Sequence, residues 1–101
     1  MVRRRALLGL FLLSLAAGAC GQASAPQVVV YTSEDQVFSE PILKNFEKSS
    51  GIAVRAVYDT EETKSTGVAL RIVAERDHPQ ADVFWGNEPL RAVMLKREGL
   101  L

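Results

Sequence analysis

Three runs rich in β-branched and aromatic residues constrain the fold more than any other feature: Gln27–Thr32, Ala53–Tyr58 and residues 81–85. Each is separated from the next by a stretch long enough for a helical crossover, the connection that parallel strands require. The first run shows no polar alternation, as expected of a strand buried on both faces of a parallel sheet. Between the first two runs, Ser33 and Gln36 have capping-box spacing, and Phe38, Ile42 and Phe46, with Leu43 beside them, form one helical stripe down to Ser49. Pro41 falls within this helix, and Gly51 is placed to end it with Ile52 packing back. Asp59 and Glu62 repeat the cap spacing before a helix carrying Val68, Ala69, Ile72 and Val73. His78 precedes Pro79, which ends that helix by about Asp77. The third run stops at Gly86, and the spacing then predicts a helix with Asn87 as N-cap and Glu88 and Pro89 in its first turn. Leu90, Val93 and Met94 form its apolar face, and Gly99, Leu100 and Leu101 supply its ending. Strand and helix alternate three times, which predicts an α/β fold with right-handed crossovers onto a parallel sheet.

The amino-terminal residues belong to a different kind of segment. Arg3, Arg4 and Arg5 precede an apolar run over residues 6–19 that ends in small residues, the order of an export signal. The run is shorter than the about 20 apolar residues of a membrane span. Ala17, Gly18 and Ala19 before Cys20 resemble a bacterial lipobox, in which the cysteine is lipidated and becomes the mature N-terminus. Cleavage at an ordinary Ala-x-Ala site is the alternative. Cys20 is the only cysteine, so it has no intramolecular disulfide partner. The expected division is a lipoprotein-type signal over residues 1–19, a flexible tether over residues 20–26 and a folded part over residues 27–101. Without the three leading arginines the chain is acidic by three charges, which argues against a nucleic-acid partner.

In an open parallel sheet, small molecules bind in the crevice outside the carboxyl ends of the strands. The residues expected there are Tyr31, Thr32, Ser33, Glu34 and Asp35, then Tyr58, Asp59, Thr60, Glu61 and Glu62, then Trp85, Asn87 and Glu88. Carboxylates and phenolates are hard oxygen donors suited to a hard cation, and so many acids would repel an anion. Each of these residues also has a local explanation. Glu88, Glu34 and Asp35 suit the positive end of a helix, Asp59, Thr60 and Thr63 suit caps, and Tyr31, Tyr58 and Trp85 suit packing. His78, the only histidine, sits at a helix end away from the strand tips, so no triad or metal cluster can be built around it. No serine, cysteine or histidine stands in a nucleophile-base relation, and the sequence is therefore read as a binding protein rather than an enzyme.

The residues Val30-Tyr31-Thr32-Ser33, the segment 41–48 with Ser50-Gly51-Ile52, and above all Ala81-Asp82-Val83-Phe84-Trp85 with Asn87-Glu88-Pro89 carry a family resemblance. Together, in this order, they resemble the N-terminal part of an extracellular solute-binding protein of an ABC importer. Within that superfamily the ferric-iron-binding group is nearest, with thiamine-type binders as relatives. The resemblance covers residues 28–101 and implies a type II periplasmic-binding-protein-like fold, of which residues 27–101 would be the first half of the N-terminal lobe. It implies a protein outside the cytoplasmic membrane that hands a small solute to a membrane permease; with the lipobox-like residues before Cys20, the expected location is the periplasm or cell surface, anchored through Cys20. It implies ferric iron as the transported ligand and no catalytic cofactor. The implied metal donors are Glu88, Glu34 and Asp35, with Asn87, Trp85, Tyr31, Ser33 and Asp59 as further ligand-binding residues. Some relatives place a histidine ligand after the first strand, where this chain has Glu34 and Asp35, and the iron group's paired tyrosines lie in a part with no counterpart here. A thiamine-type or other small-molecule binder, a truncated fragment that binds nothing, and an enzyme on a related bilobal fold stand as alternatives.

Overall fold

The computed structural model describes residue 21, residues 24–60, residue 62 and residues 66–101. The expected export signal, Cys20, most of the tether before residue 24, Glu61 and Thr63 lie outside the described residues. The element order is β1 (Gln27–Thr32), α1 (Gln36–Ser50), β2 (Ala53–Tyr58), α2 (Gly67–Ala74), β3 (Val83–Trp85) and α3 (Pro89–Arg97). The three strands form one parallel sheet in the order β2-β1-β3, so the strand read as the first lies at the centre. Central placement explains why β1 lacks polar alternation. Val30, Tyr31 and Thr32 are 5%, 1% and 0% exposed, while the amino-terminal Gln27 is at the surface.

The register runs from Gln27 opposite Ala53 to Thr32 opposite Tyr58, and from Val30 opposite Val83 to Thr32 opposite Trp85. β3 is shorter than the expected residues 81–85. The backbone N–H of Asp82 still donates to the Val29 carbonyl, and its carboxylate accepts the Val29 N–H at 2.8 Å. One side chain thus replaces the next rung of the ladder, and the regular strand begins only at Val83. On the opposite edge, the outward N–H of Val54 donates to a Glu47 carboxylate oxygen at 2.6 Å, so α1 covers a sheet-edge donor that would otherwise need water.

The core is completed by Val68 and Ala69 of α2 and by Leu95 of α3, which is fully buried. α2 ends at Ala74, short of the expected Asp77, with a turn over residues 75–77. Gly51 and Gly99 both have φ of 72°, the left-handed conformation at which a helix reverses and glycine carries no Cβ penalty. After α3, Gly99 N–H donates to the Lys96 carbonyl and Leu100 N–H to the Leu95 carbonyl, the paired bonds of a Schellman ending.

Two apolar stripes depart from their expected burial. Phe38, Ile42 and Phe46 of α1 are 70%, 57% and 42% exposed, and the helix meets the sheet instead through buried Ser39 and half-buried Leu43 and Glu47. α1 packs over β2, and the exposure of its phenylalanine stripe leaves that stripe outside the packed face. On α3, Leu90 and Val93 are exposed while Leu95 is buried, so the face that packs on α2 is rotated from the one the spacing of Leu90, Val93 and Met94 predicts.

Candidate functional site at the carboxyl ends of the strands

All three strands end at the same edge, and each is followed by a turn into a helix. The chain therefore brings Thr32 and Ser33, Tyr58 and Asp59, and Trp85 to Glu88 to one side of the sheet. Backbone bonds bind these tips together. Ser33 N–H donates to the Trp85 carbonyl at 3.1 Å, and Asp59 N–H donates to the Thr32 carbonyl at 3.0 Å. Both continue the sheet one residue beyond the regular strands.

Ser33 belongs to this edge and not to the start of α1. Its hydroxyl donates to Asn87 Oδ1 at 3.3 Å, accepts the Asn87 backbone N–H at 3.3 Å, and its carbonyl accepts Asn87 Nδ2 at 3.4 Å. The expected capping box with Gln36 is therefore absent: Asp35 occupies the N-cap without a side-chain cap bond, and Gln36 donates to Glu40 instead. The start of α3 shifts by one residue for the same reason. Asn87 is held by Ser33, so Glu88 takes the N-cap position with φ −115° and ψ 106°, and Pro89 occupies the first helical position. The signal for this pairing was present in the sequence as two short polar residues at the ends of strands, but their adjacency depends on β1 lying beside β3.

Glu88 makes no cap bond. Its carboxylate lies 3.5 Å from the Arg91 guanidinium in a surface ion pair, and its side chain is half exposed. Glu34 is half-buried and Asp35 exposed. Glu34 donates its backbone N–H to Thr32 Oγ1 at 3.0 Å, a local turn that folds the chain from β1 towards α1. Asp59 serves α2 across a loop: its Oδ1 accepts the Val68 N–H at 2.7 Å, in place of the expected capping spacing with Glu62. The other carboxylate oxygen of Asp59 is buried with no hydrogen-bond partner among the described residues.

Tyr31 points away from these groups. Its ring is buried, its hydroxyl donates to Glu75 of the turn after α2, and the Arg71 guanidinium lies 4.9 Å above the ring. Burial first, and the Glu75 carboxylate second, push its pKa above the ordinary 10.0. A phenol kept neutral and committed to a carboxylate is a packing group here. Tyr58 at the end of β2 is half-buried, and its pKa is raised chiefly by burial and then by Glu40 nearby. Trp85 is half-buried at the tip of β3, on the sheet face shared with Val30 and Thr32. Among the described residues, no three histidine, cysteine, aspartate or glutamate side chains come together as a metal-holding group. A separate cavity of about 260 Å³ lies at the opposite end of β3, lined by Ile72, Glu75, Ala81, Phe84 and Leu100.

Glu34 and Asp35 follow β1 and Glu88 follows β3, on an edge tied together by Ser33 and Asn87. Such a wall can contact a small polar solute but cannot enclose it, because a binding crevice buries most of its ligand between facing surfaces.

The structure is similar to that of ferric iron-binding protein A from Mannheimia haemolytica in an open conformation. The TM-score is 0.61 and the sequence identity 28%, with 74% of this chain and 22% of that protein covered. The chain therefore spans about a fifth of the length of the solved protein it matches. No protein-family model matches the chain, and no curated protein matches it. The α/β architecture, with its three-stranded parallel sheet and helices, is periplasmic-binding-protein-like. The neighbour is a ferric iron-binding protein.

Proposed function

We propose that these residues form one wall of the solute crevice of an exported solute-binding protein that serves an ABC importer, with ferric iron as its solute. The reading is supported by one observation: in a fold similar to that of a ferric iron-binding protein, the ends of β1 and β3 lie side by side, with Glu34 and Asp35 following one and Glu88 the other. Ferric iron is a hard cation and pairs best with carboxylate and phenolate oxygen. In this reading Glu88 is the first donor, because it stands at the N-cap of α3 with a carboxylate that no cap bond occupies. Export by the residue 1–19 signal and lipidation at Cys20 complete the reading, with a membrane permease as the receiving partner.

Titration of the protein with ferric nitrilotriacetate, followed by visible absorbance and calorimetry, tests it. Glu88→Ala is expected to weaken ferric binding at least about tenfold, the loss of one charged donor worth about 1.4 kcal/mol or more. Equal affinity in wild type and variant removes Glu88 from the donor set. Metabolic labelling with a fatty acid tests the anchor: label is expected on the wild type and absent from Cys20→Ser.

A further inference from the structure

We propose that Ser33 and Asn87 act as positioning residues for Glu88, fixing its backbone at the carboxyl edge of the sheet. The proposal rests on the reading of Glu88 given above, and it replaces the expectation that Ser33 contacts solute itself.

Ser33 is 3% exposed and all its polar groups are engaged. Its N–H goes to the Trp85 carbonyl, its hydroxyl both donates to and accepts from Asn87, and its carbonyl accepts the Asn87 amide. A side chain so buried and so occupied has little to offer a ligand. What it does control is the next peptide. Asn87 is joined to β1 through its backbone N–H as well as through both ends of its amide, so the turn between β3 and α3 is pinned at the residue before Glu88. On the other side Pro89 restricts the chain by its ring. Glu88 is therefore held between a three-bond clamp and a fixed proline, in the extended conformation φ −115°, ψ 106° that starts α3. That backbone sets the direction of its Cα–Cβ bond, and hence where a side chain without a cap bond places its carboxylate. The same clamp makes the tips of β1 and β3 one rigid edge, which limits the reorganisation a bound solute must impose.

The test uses amide hydrogen exchange at position 87 and the three-bond HN–Hα coupling of Glu88, measured by NMR on the full chain. In Ser33→Ala, exchange at Asn87 is expected to quicken about fivefold or more, the loss of a hydrogen bond worth roughly 1 kcal/mol. The Glu88 coupling is expected to fall towards a conformational average, while exchange at Val54 on the far edge stays unchanged. Asn87→Ala, at the more exposed end of the clamp, is expected to give the same fall in the Glu88 coupling and serves if the buried serine variant does not fold. A Glu88 coupling equal to wild type in the folded variant overturns the proposal. So does a lowered melting temperature with that coupling intact, since it marks a contact that only stabilises. Neither readout needs a solute, so the clamp can fail while Glu88 remains a ferric donor, and the ferric titration can fail while the clamp stands.

Discussion

The hydroxyl of Tyr31, at the centre of the sheet, donates to the Glu75 carboxylate at 2.8 Å, and Glu75 in turn accepts from Arg71 at 2.8 Å. This chain of bonds locks the turn after α2 onto β1, with the Arg71 guanidinium closing over the tyrosine ring. Removing the hydroxyl keeps the ring's apolar packing but deletes a bond to a charged acceptor. Tyr31→Phe is expected to lower stability by about 1–2 kcal/mol in urea unfolding and to leave ferric binding unchanged.

The same pair predicts a response to acid. The Arg71 hydrogen bond, with a smaller contribution from Tyr31, holds the Glu75 carboxyl below the ordinary glutamate value of 4.5. A group whose folded pKa is depressed adds stability above its unfolded pKa and loses it as pH falls through the folded one. Stability is therefore expected to decline as pH falls below about 4.5, and Glu75→Gln is expected to flatten part of that decline. At the alkaline end the sign reverses the logic. Tyr31 has a raised pKa, so its neutral form is favoured on folding, and stability is expected to fall as pH climbs past 10.0. Urea midpoints across pH, in wild type and both variants, check each limb.

Asp59 ties the end of β2 to the first turn of α2 through the Val68 N–H. Asp59→Ala is expected to cost about 1 kcal/mol, as loss of a helix N-terminal acceptor does, with faster amide exchange confined to the start of α2. Asp59→Asn keeps the accepting oxygen and is expected to recover most of the loss.

Gly99 has open space where a Cβ would sit, so its requirement is conformational alone. Gly99→Ala is expected to destabilise by about 1–2 kcal/mol, the cost of a left-handed L-residue, and Gly99→Asn by less. Gly86 differs. A Cβ there would lie 2.6 Å from the Phe84 ring tip, so Gly86→Ala is expected to displace that ring and alter its aromatic NMR shifts.

Exposure separates apolar residues that the sequence alone groups together. Leu95 is 0% exposed and Phe38 70% exposed. Leu95→Ala is expected to cost about 2–5 kcal/mol, while Phe38→Ser changes stability by no more than about 0.5 kcal/mol. Thermal melts of the two variants side by side measure the difference.

Local chemistry made β1 and β2 legible to the residue, because β-branched runs and their flanking turn residues act within a few positions of themselves. Gly51 and Gly99 were legible for the same reason: a left-handed helix ending asks for glycine wherever the helix packs. The α/β class followed from the alternation of the two periods. Tertiary structure decided which strand was central, and with it every pairing across the sheet. Ser33 and Gln36 have the spacing of a capping box, yet the hydroxyl goes to Asn87 because β1 lies beside β3 and a bond between neighbouring tips also completes the sheet. The same placement moved the N-cap of α3 from Asn87 to Glu88, and turned Tyr31 from a strand-end donor into a partner of Glu75. Periodicity marks which helix residues are apolar, but not which way the helix rolls on its sheet. Phe38, Ile42 and Phe46 therefore formed the readable stripe while Ser39 is the buried position, since that choice depends on the width and order of strands distant in sequence.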